Sequence, residues 1–287
     1  MSRLSTLLEK TTVRLFLSPH AIEYTKALVD VIRACFKEIQ IAHIPFDSDI
    51  MIVHITDLRQ TPISSSSYLI ILSGEPWELS TKVDMAISPF HGQLADHAIY
   101  YPFLYSSLFE RKLQSFPITK KKHFCAFMYY QSYPHRDRYF HLLSVYKPVT
   151  SLGRACSTKN MPHTRFVNNE TETYNDIAVR LYASFKFVLA VENTWKPGYV
   201  TEKLINPIIA NSVPLYWGHP SAFEYINKKR VVYLPEFTDS SIIEYLSTMT
   251  EETYQSILNE PWYTDKGKPE KIQSDLEQSI RSILVKK

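Results

Sequence analysis

A two-domain α/β fold, each domain a doubly wound parallel sheet and the two facing each other across a ligand cleft, is what this chain predicts. Three observations carry the prediction. Apolar strand-like segments alternate with helical ones along the whole length. The strand-like segments are β-branched runs without clean alternation, as parallel strands covered on both faces require. At 287 residues the chain is long enough for two cores of ordinary size. The expected division is a Rossmann-like domain over residues 1–118, a second over 119–270 and a C-terminal helix over 271–287.

In order along the chain, TVRLFL at 12–17 reads as a strand and 20–38 as an amphipathic helix with Ile22, Leu28, Ile32 and Phe36 among its apolar positions. Strands follow at 50–55 and 68–72. Residues 114–122 turn polar and lysine-rich around Pro117, and read as a solvated linker. The second domain restarts with a strand at 123–130 and a helix over about 135–146. A helix near 176–184, a strand at 187–191, a helix from Thr201 and strands at 213–217 and 231–234 follow. Pro207 falls inside the helix that Thr201 starts, where its missing N–H predicts a bend. Residues 272–284 form a helix with Ile272, Leu276, Ile280, Ile283 and Leu284 on one side, expected to dock on a domain.

Composition bounds the function. A hydrophobic share of 45% and mean hydropathy of −0.19 are those of a globular protein, and the charges in the N-terminal stretch interrupt any run of membrane-span length. The net charge of +3 suits an anionic small ligand and calls for no nucleic acid. Cys35, Cys125 and Cys156 lack CxxC or His-rich surroundings and read as ordinary thiols in a reducing compartment. The sequon at Asn169 reads as chance. No GxxxxGK[ST] loop, GxGxxG fingerprint or GxSxG elbow is present, which argues against an ATPase, a typical dehydrogenase and a serine hydrolase.

The informative stretch is FKFVLAVENTWKPGYVTEK, residues 185–203. A buried strand there runs into polar residues that end at a helix start, where Glu192, Asn193, Tyr199, Thr201, Glu202 and Lys203 converge. The first turn of a helix presents unpaired N–H groups and partial positive charge, so a lysine beside it makes a phosphate receptor. Thr201 reads as the helix cap. Glu192 either braces the loop or touches ligand. Gly153, Gly198 and Gly218 fall near loops, as close approach to a nucleotide requires.

This stretch resembles the donor-binding signature of the family-10 α1,3-fucosyltransferases, FxFxxxFEN followed after a spacer by YxTEK. The resemblance continues through VPLYWGH at 213–219 and through residues 223–237. It implies the GT-B architecture, an N-terminal acceptor-binding domain, a C-terminal domain binding a GDP-sugar, and inverting transfer of L-fucose from GDP-β-L-fucose to an N-acetylglucosamine- or glucose-containing glycan, most simply in α1,3 linkage. Relatives in eukaryotes are anchored in the Golgi; this chain resembles a cytoplasmic microbial or viral form, or one whose anchor was removed.

Within that resemblance, Glu75 in LSGEPW, past the strand at 68–72, matches the family's catalytic base, with Trp77 expected to desolvate it and Glu78 as its nearest competitor. Arg136 in YPHRDRYF matches the family's arginine and pairs with Lys203 for the diphosphate; Arg138 is the substitute. YKPVTSLGR at 146–154 resembles YKxVDSGG, with Thr150 for aspartate and Leu152 for glycine. Glu202 is assigned to fucose hydroxyls or the charge at the anomeric carbon, and Asn193 and Tyr199 to the nucleotide. Acceptor recognition is expected from first-domain loops such as 92–97. Asp47-Ser48-Asp49 has a metal-binding DxD form but precedes a strand and reads as a turn. No metal is expected as an obligatory cofactor, manganese or magnesium serving at most as an activator. A GT-B enzyme with another sugar nucleotide, and a non-catalytic glycan- or nucleotide-binding module, are the alternatives.

Overall fold

The computed structural model describes residues 2–24, 26–90, 93–102, 121–157 and 174–285. The sequon at Asn169, Gly92 and most of the expected linker lie outside them. The chain divides into two compact units. One takes the described residues of Met1–Glu110, Lys196–Tyr199 and Lys268–Lys287, the other those of Arg111–Trp195 and Val200–Gly267.

The first unit opens with a short helix, α1 (Arg3–Leu8), capped by the Ser2 hydroxyl, which accepts the Ser5 N–H at 3.1 Å. Six parallel strands follow: β1 (Thr12–Leu17), β2 (Glu38–Ile41), β3 (Ile50–His54), β4 (Tyr68–Leu72), β5 (Val83–Ser88) and β6 (Ala95–Tyr100), in sheet order β2-β1-β3-β4-β5-β6. Every residue of β3 is buried, as its unbroken apolar run predicts.

The long helix expected over 20–38 is corrected. Helices α2 (Pro19–Tyr24) and α3 (Lys26–Arg33) occupy most of it, residues 34–37 turn, and Glu38 already belongs to β2 (Glu38–Ile41), paired parallel with β1 from Thr12 to Leu15. EIQI is an edge strand with no buried residue, so no apolar pattern announces it, and the ladder to β1 decides its state. The loop expected over 92–97 is corrected too: Ala95, Asp96 and His97 lie in β6. Polar residues also mask β5, where Asp84 accepts the Leu69 N–H at 2.8 Å and pairs with Arg3 at 2.8 Å. Asp47 closes a 3-10 turn, and Asp49 is held by Lys10 and the Arg14 N–H, which matches the turn reading of the DxD string.

The second unit holds β7 (His123–Phe127), α4 (Pro134–Tyr146), β8 (Val149–Ser151), α5 (Tyr174–Tyr182), β9 (Phe185–Val191), α6 (Glu202–Ile209), β10 (Val213–Trp217), β11 (Val232–Tyr233), α7 (Asp239–Thr248) and α8 (Glu251–Asn259). Its five parallel strands run in the order β11-β10-β9-β7-β8. Phe127, Leu189, Val191, Val213 and Leu215 fill a core beneath α4 and α7. Helix α6 runs through Pro207 and stops two residues later; the chain then turns through Asn211 at φ 52°.

The lysine run read as a solvated linker is corrected at Lys121. Its ammonium is half-buried and donates to the carbonyls of Ala183 at 2.8 Å and Ala210 at 3.0 Å, just past the ends of α5 and α6. One cation thus closes two helix C-termini, where partial negative charge collects. Helix α9 (Pro269–Leu284) belongs to the first unit and packs on α3, burying Ile272, Leu276, Ile280 and Leu284 at four-residue steps. Among the described residues no helix is long and apolar enough to cross a membrane.

Candidate active site

The second sheet reverses direction between β7 and β9: the chain leaves β7 for β8, then returns to the opposite side of β7 and continues outward through β9, β10 and β11. Parallel sheets bind ligands beyond the carboxyl ends of their strands at such a reversal. The two connections that flank it carry Arg136, in the first turn of α4, and the pair Glu192-Asn193, just past β9.

After β7 the chain reaches Tyr133 and enters α4 at Pro134, whose fixed φ suits a first helical position. Arg136 therefore falls in the first turn, 3% exposed. Its Nη2 donates to Asn193 Oδ1 at 2.6 Å, and its guanidinium lies 4.1 Å from the centroid of the Tyr129 ring and 4.9 Å from that of Tyr133. Its Nε has no hydrogen-bond partner. A buried cation with an unmet donor is costly in isolation and is suited to receive an anion. Arg138, the substitute, is exposed and paired with Asp239.

Tyr129 is a residue that sequence reasoning missed. Its hydroxyl donates to the Leu189 carbonyl at 2.9 Å and accepts the Val191 N–H at 2.6 Å, tying the end of β7 to the end of β9 while its ring carries Arg136. Burial pushes this phenol up to about 12, Arg136 and Lys203 pull it back, and Glu192 adds to the rise, so all three charges gather around one ring. The aromatic-rich FMYYQSYPH run was the available signal. His135 was also missed; its Nε2 lies 3.1 Å from the Glu192 carbonyl and its ring 4.7 Å from Trp217. Trp195, Trp217 and His219 continue that aromatic group, with centroids 5.3 and 5.8 Å from Trp195.

The structure assigns Glu192 to bracing. It is fully buried at the end of β9, and its two oxygens accept the Thr201 N–H at 2.9 Å and the Thr201 hydroxyl at 2.7 Å. Burial raises its carboxyl to about 7, against the pull of Lys203. Thr201 is the cap of α6, so Glu192 fixes where that helix begins. Glu202 and Lys203 follow in the first turn. Lys203 Nζ lies 3.2 Å from Thr201 Oγ1 and 3.1 Å from Glu202 Oε1. Burial works against charge on Glu202, yet the adjacent Lys203 ammonium together with hydrogen bonds from Lys203, Thr201 and the backbone outweighs it and holds the carboxyl below its usual range.

The loop glycines approach the protein itself closely. A Cβ on Gly153 would stand 2.2 Å from the Tyr129 carbonyl oxygen, and one on Gly218 would stand 2.3 Å from the Tyr216 hydroxyl and 2.9 Å from Glu192 Cγ. Gly198, at φ 81°, turns the loop where its carbonyl accepts the Tyr100 hydroxyl at 3.1 Å.

Arg136, Asn193, Glu202 and Lys203 thus come together in the second unit. Glu75 and Tyr199 belong to the first. Tyr199 is 2% exposed, so its ring packs inside the protein. Glu75 is half-buried just past β4, in a turn where its carbonyl accepts the Ser73 hydroxyl at 2.9 Å. Trp77 beside it is 52% exposed. Its competitor Glu78 is paired with Lys196 at 2.8 Å, a bond that holds its carboxyl below the usual range. Among the described residues no group of three or more His, Cys, Asp or Glu is arranged to hold a metal ion.

Residues 118–275 match the model of the family described as glycosyltransferase family 10 (fucosyltransferase), C-terminal part. A presumed fucosyltransferase of Acanthamoeba polyphaga mimivirus is 39% identical over 262 residues, 89% of this chain and 43% of that protein. The GDP-fucose protein O-fucosyltransferase 3 of Homo sapiens is 33% identical over 104 residues, 36% of this chain and 21% of that protein. The chain therefore spans less than half the length of these relatives. A solved α1,3-fucosyltransferase with GDP-fucose superposes with a TM-score of 0.71 at 20% identity, covering 98% of this chain and 96% of that one, and so shares the fold.

Proposed function

The chain belongs to glycosyltransferase family 10, the fucosyltransferases, and from that premise we propose that it transfers L-fucose from GDP-β-L-fucose to a hydroxyl of an N-acetylglucosamine- or glucose-containing glycan, forming an α1,3 linkage with inversion. The observation that carries the reading is Arg136: a buried guanidinium with an unmet Nε, at the reversal point of a parallel sheet. A diphosphate supplies the oxygens this group lacks. The GDP-fucose named with two of the similar proteins supports the choice of donor.

In this reading the acceptor oxygen forms its bond to the anomeric carbon as the bond from that carbon to the diphosphate breaks, and Glu75 takes the acceptor proton. Arg136 and Lys203 take up the charge released on GDP, Lys203 by turning from Glu202 toward phosphate. Glu202, left with its charge, faces the sugar. Asn193 orients Arg136, and the aromatic group of Trp195, Trp217 and His219 offers the nucleobase a stacking surface. Two cationic side chains and a helix end let GDP leave without an obligatory metal, so chelator leaves turnover in place and manganese at most raises it.

Lys203→Ala and Arg136→Ala each abolish GDP binding by calorimetry, whereas Glu75→Ala abolishes transfer and leaves GDP affinity within about twofold. Normal transfer by Glu75→Ala would show that the base is another group, and competition among sugar nucleotides tests the donor. Release of GDP in the presence of a glycan separates an enzyme from a binding module. The human relative's name favours a second acceptor class, a protein hydroxyl; product analysis by linkage-resolving NMR discriminates the two.

A further inference from the structure

The first sheet also has a reversal point. The chain leaves β1 for β2, then returns to the other side of β1 for β3 and continues outward to β6. Two side chains that the proposed reaction leaves unused meet across this point. His20, in the first turn after β1, brings Nδ1 to 2.5 Å from Oδ1 of Asp57, which ends the short turn after β3. The other Asp57 oxygen accepts the His20 backbone N–H at 2.9 Å, and the Ser18 hydroxyl bonds to the same carboxyl. Burial opposes charge on Asp57, but these bonds outweigh it and hold the carboxyl below its usual range.

An ionised carboxylate only accepts, so His20 Nδ1 carries a proton, and in the neutral form of the ring the lone pair is left on Nε2. The exposures divide the pair: the Asp57 side chain is 8% exposed and that of His20 55%. A buried carboxylate that orients an exposed imidazole is the geometry of a base and its positioning group. His54, whose ring centroid is 6.1 Å away, is buried and bonded to the Thr56 hydroxyl at 2.7 Å; burial lowers its pKa, so it adds no positive charge beside the dyad at neutral pH. Tying α2 to the turn needs only the backbone N–H of His20, which leaves the oriented imidazole unexplained by packing.

We propose that His20, oriented by Asp57, is an acceptor-binding residue whose Nε2 takes a hydrogen bond from a hydroxyl of the carbohydrate that receives the sugar. This rests on the proposed function, in which the first unit binds the acceptor. Glu75 follows β4, two strands from β1, a separation of roughly 10 Å at ordinary strand spacing. His20 therefore reads a hydroxyl on the sugar next to the one whose proton Glu75 takes.

The test uses the full chain, GDP-fucose and N-acetyllactosamine. His20→Ala raises the acceptor KM about tenfold, the net worth of one hydrogen bond, and leaves the GDP dissociation constant within about twofold. Asp57→Asn produces the same split, because an amide that donates to Nδ1 moves the imidazole proton to Nε2. In wild-type protein the 15N signal of His20 Nε2 shifts on saturation with N-acetyllactosamine. Unchanged acceptor KM in both variants, or a static His20 signal, overturns the inference. Loss of GDP binding by the wild type would instead overturn the donor reading, and the His20 signal still decides the sugar contact. A wild type that hydrolyses GDP-fucose but transfers to no glycan overturns the acceptor class and this inference with it.

Discussion

At Glu192 two demands oppose each other. Burial favours the neutral carboxyl, while Thr201 offers two donors and Lys203 stands near. The net result is a folded-state pKa of about 7 against an ordinary 4.5. Between those values the folded protein holds a proton that the unfolded chain has lost, so this group's contribution to stability falls as pH rises from about 4.5 to 7. Glu192→Gln keeps an acceptor for the Thr201 N–H and flattens that decline, measured as unfolding free energy in urea across the same pH range. Glu192→Ala strands both Thr201 donors and costs about 2–3 kcal/mol. Glu192 itself was visible in the sequence, but its role was not: a carboxylate at a strand end is equally suited to ligand or to brace until its two oxygens are placed. Tyr129 was missed for a related reason: the aromatic run marks the region, but one tyrosine among several is distinguished only by what lies across its ring.

Among the elements, unbroken apolar runs announced themselves as strands, and strands interrupted by polar residues, interior β5 included, did not. β3, β4, β9 and β10 are apolar runs whose burial follows from composition. β2 and β6 are edges of the first sheet, and their polar residues satisfy solvent on one side and a ladder on the other. Junctions between elements hold the same kind of hidden information. Lys121→Met removes the ammonium that donates to the carbonyls past α5 and α6 and lowers stability by about 1–2 kcal/mol in chemical denaturation. Gly153→Ala forces the loop after β8 away from the Tyr129 backbone, costing about 1–3 kcal/mol. Because Tyr129 carries Arg136, GDP affinity falls with it; a Gly153→Ala protein of unchanged GDP affinity would separate the loop from the anion site.

At the scale of the whole molecule, the chain closes its first unit with its last helix. Ile280 is fully buried on α9, and Ile280→Ala costs about 2–5 kcal/mol. The loss is expected in the transition of the first unit, with GDP binding by the second retained, which calorimetric unfolding with and without GDP resolves. Sequence alone determined the α/β class, the strand-to-helix start that carries Thr201, Glu202 and Lys203, and the family, because apolar runs, caps and short motifs are local properties of the chain. Only the tertiary structure decided that Arg136 is buried against Tyr129 and Asn193, that Lys121 ends two helices, and that His20 meets Asp57. Apart from Arg136 and Tyr129, these contacts join residues tens of positions apart, and strand order, set by the global packing of the sheets, is what makes them neighbours.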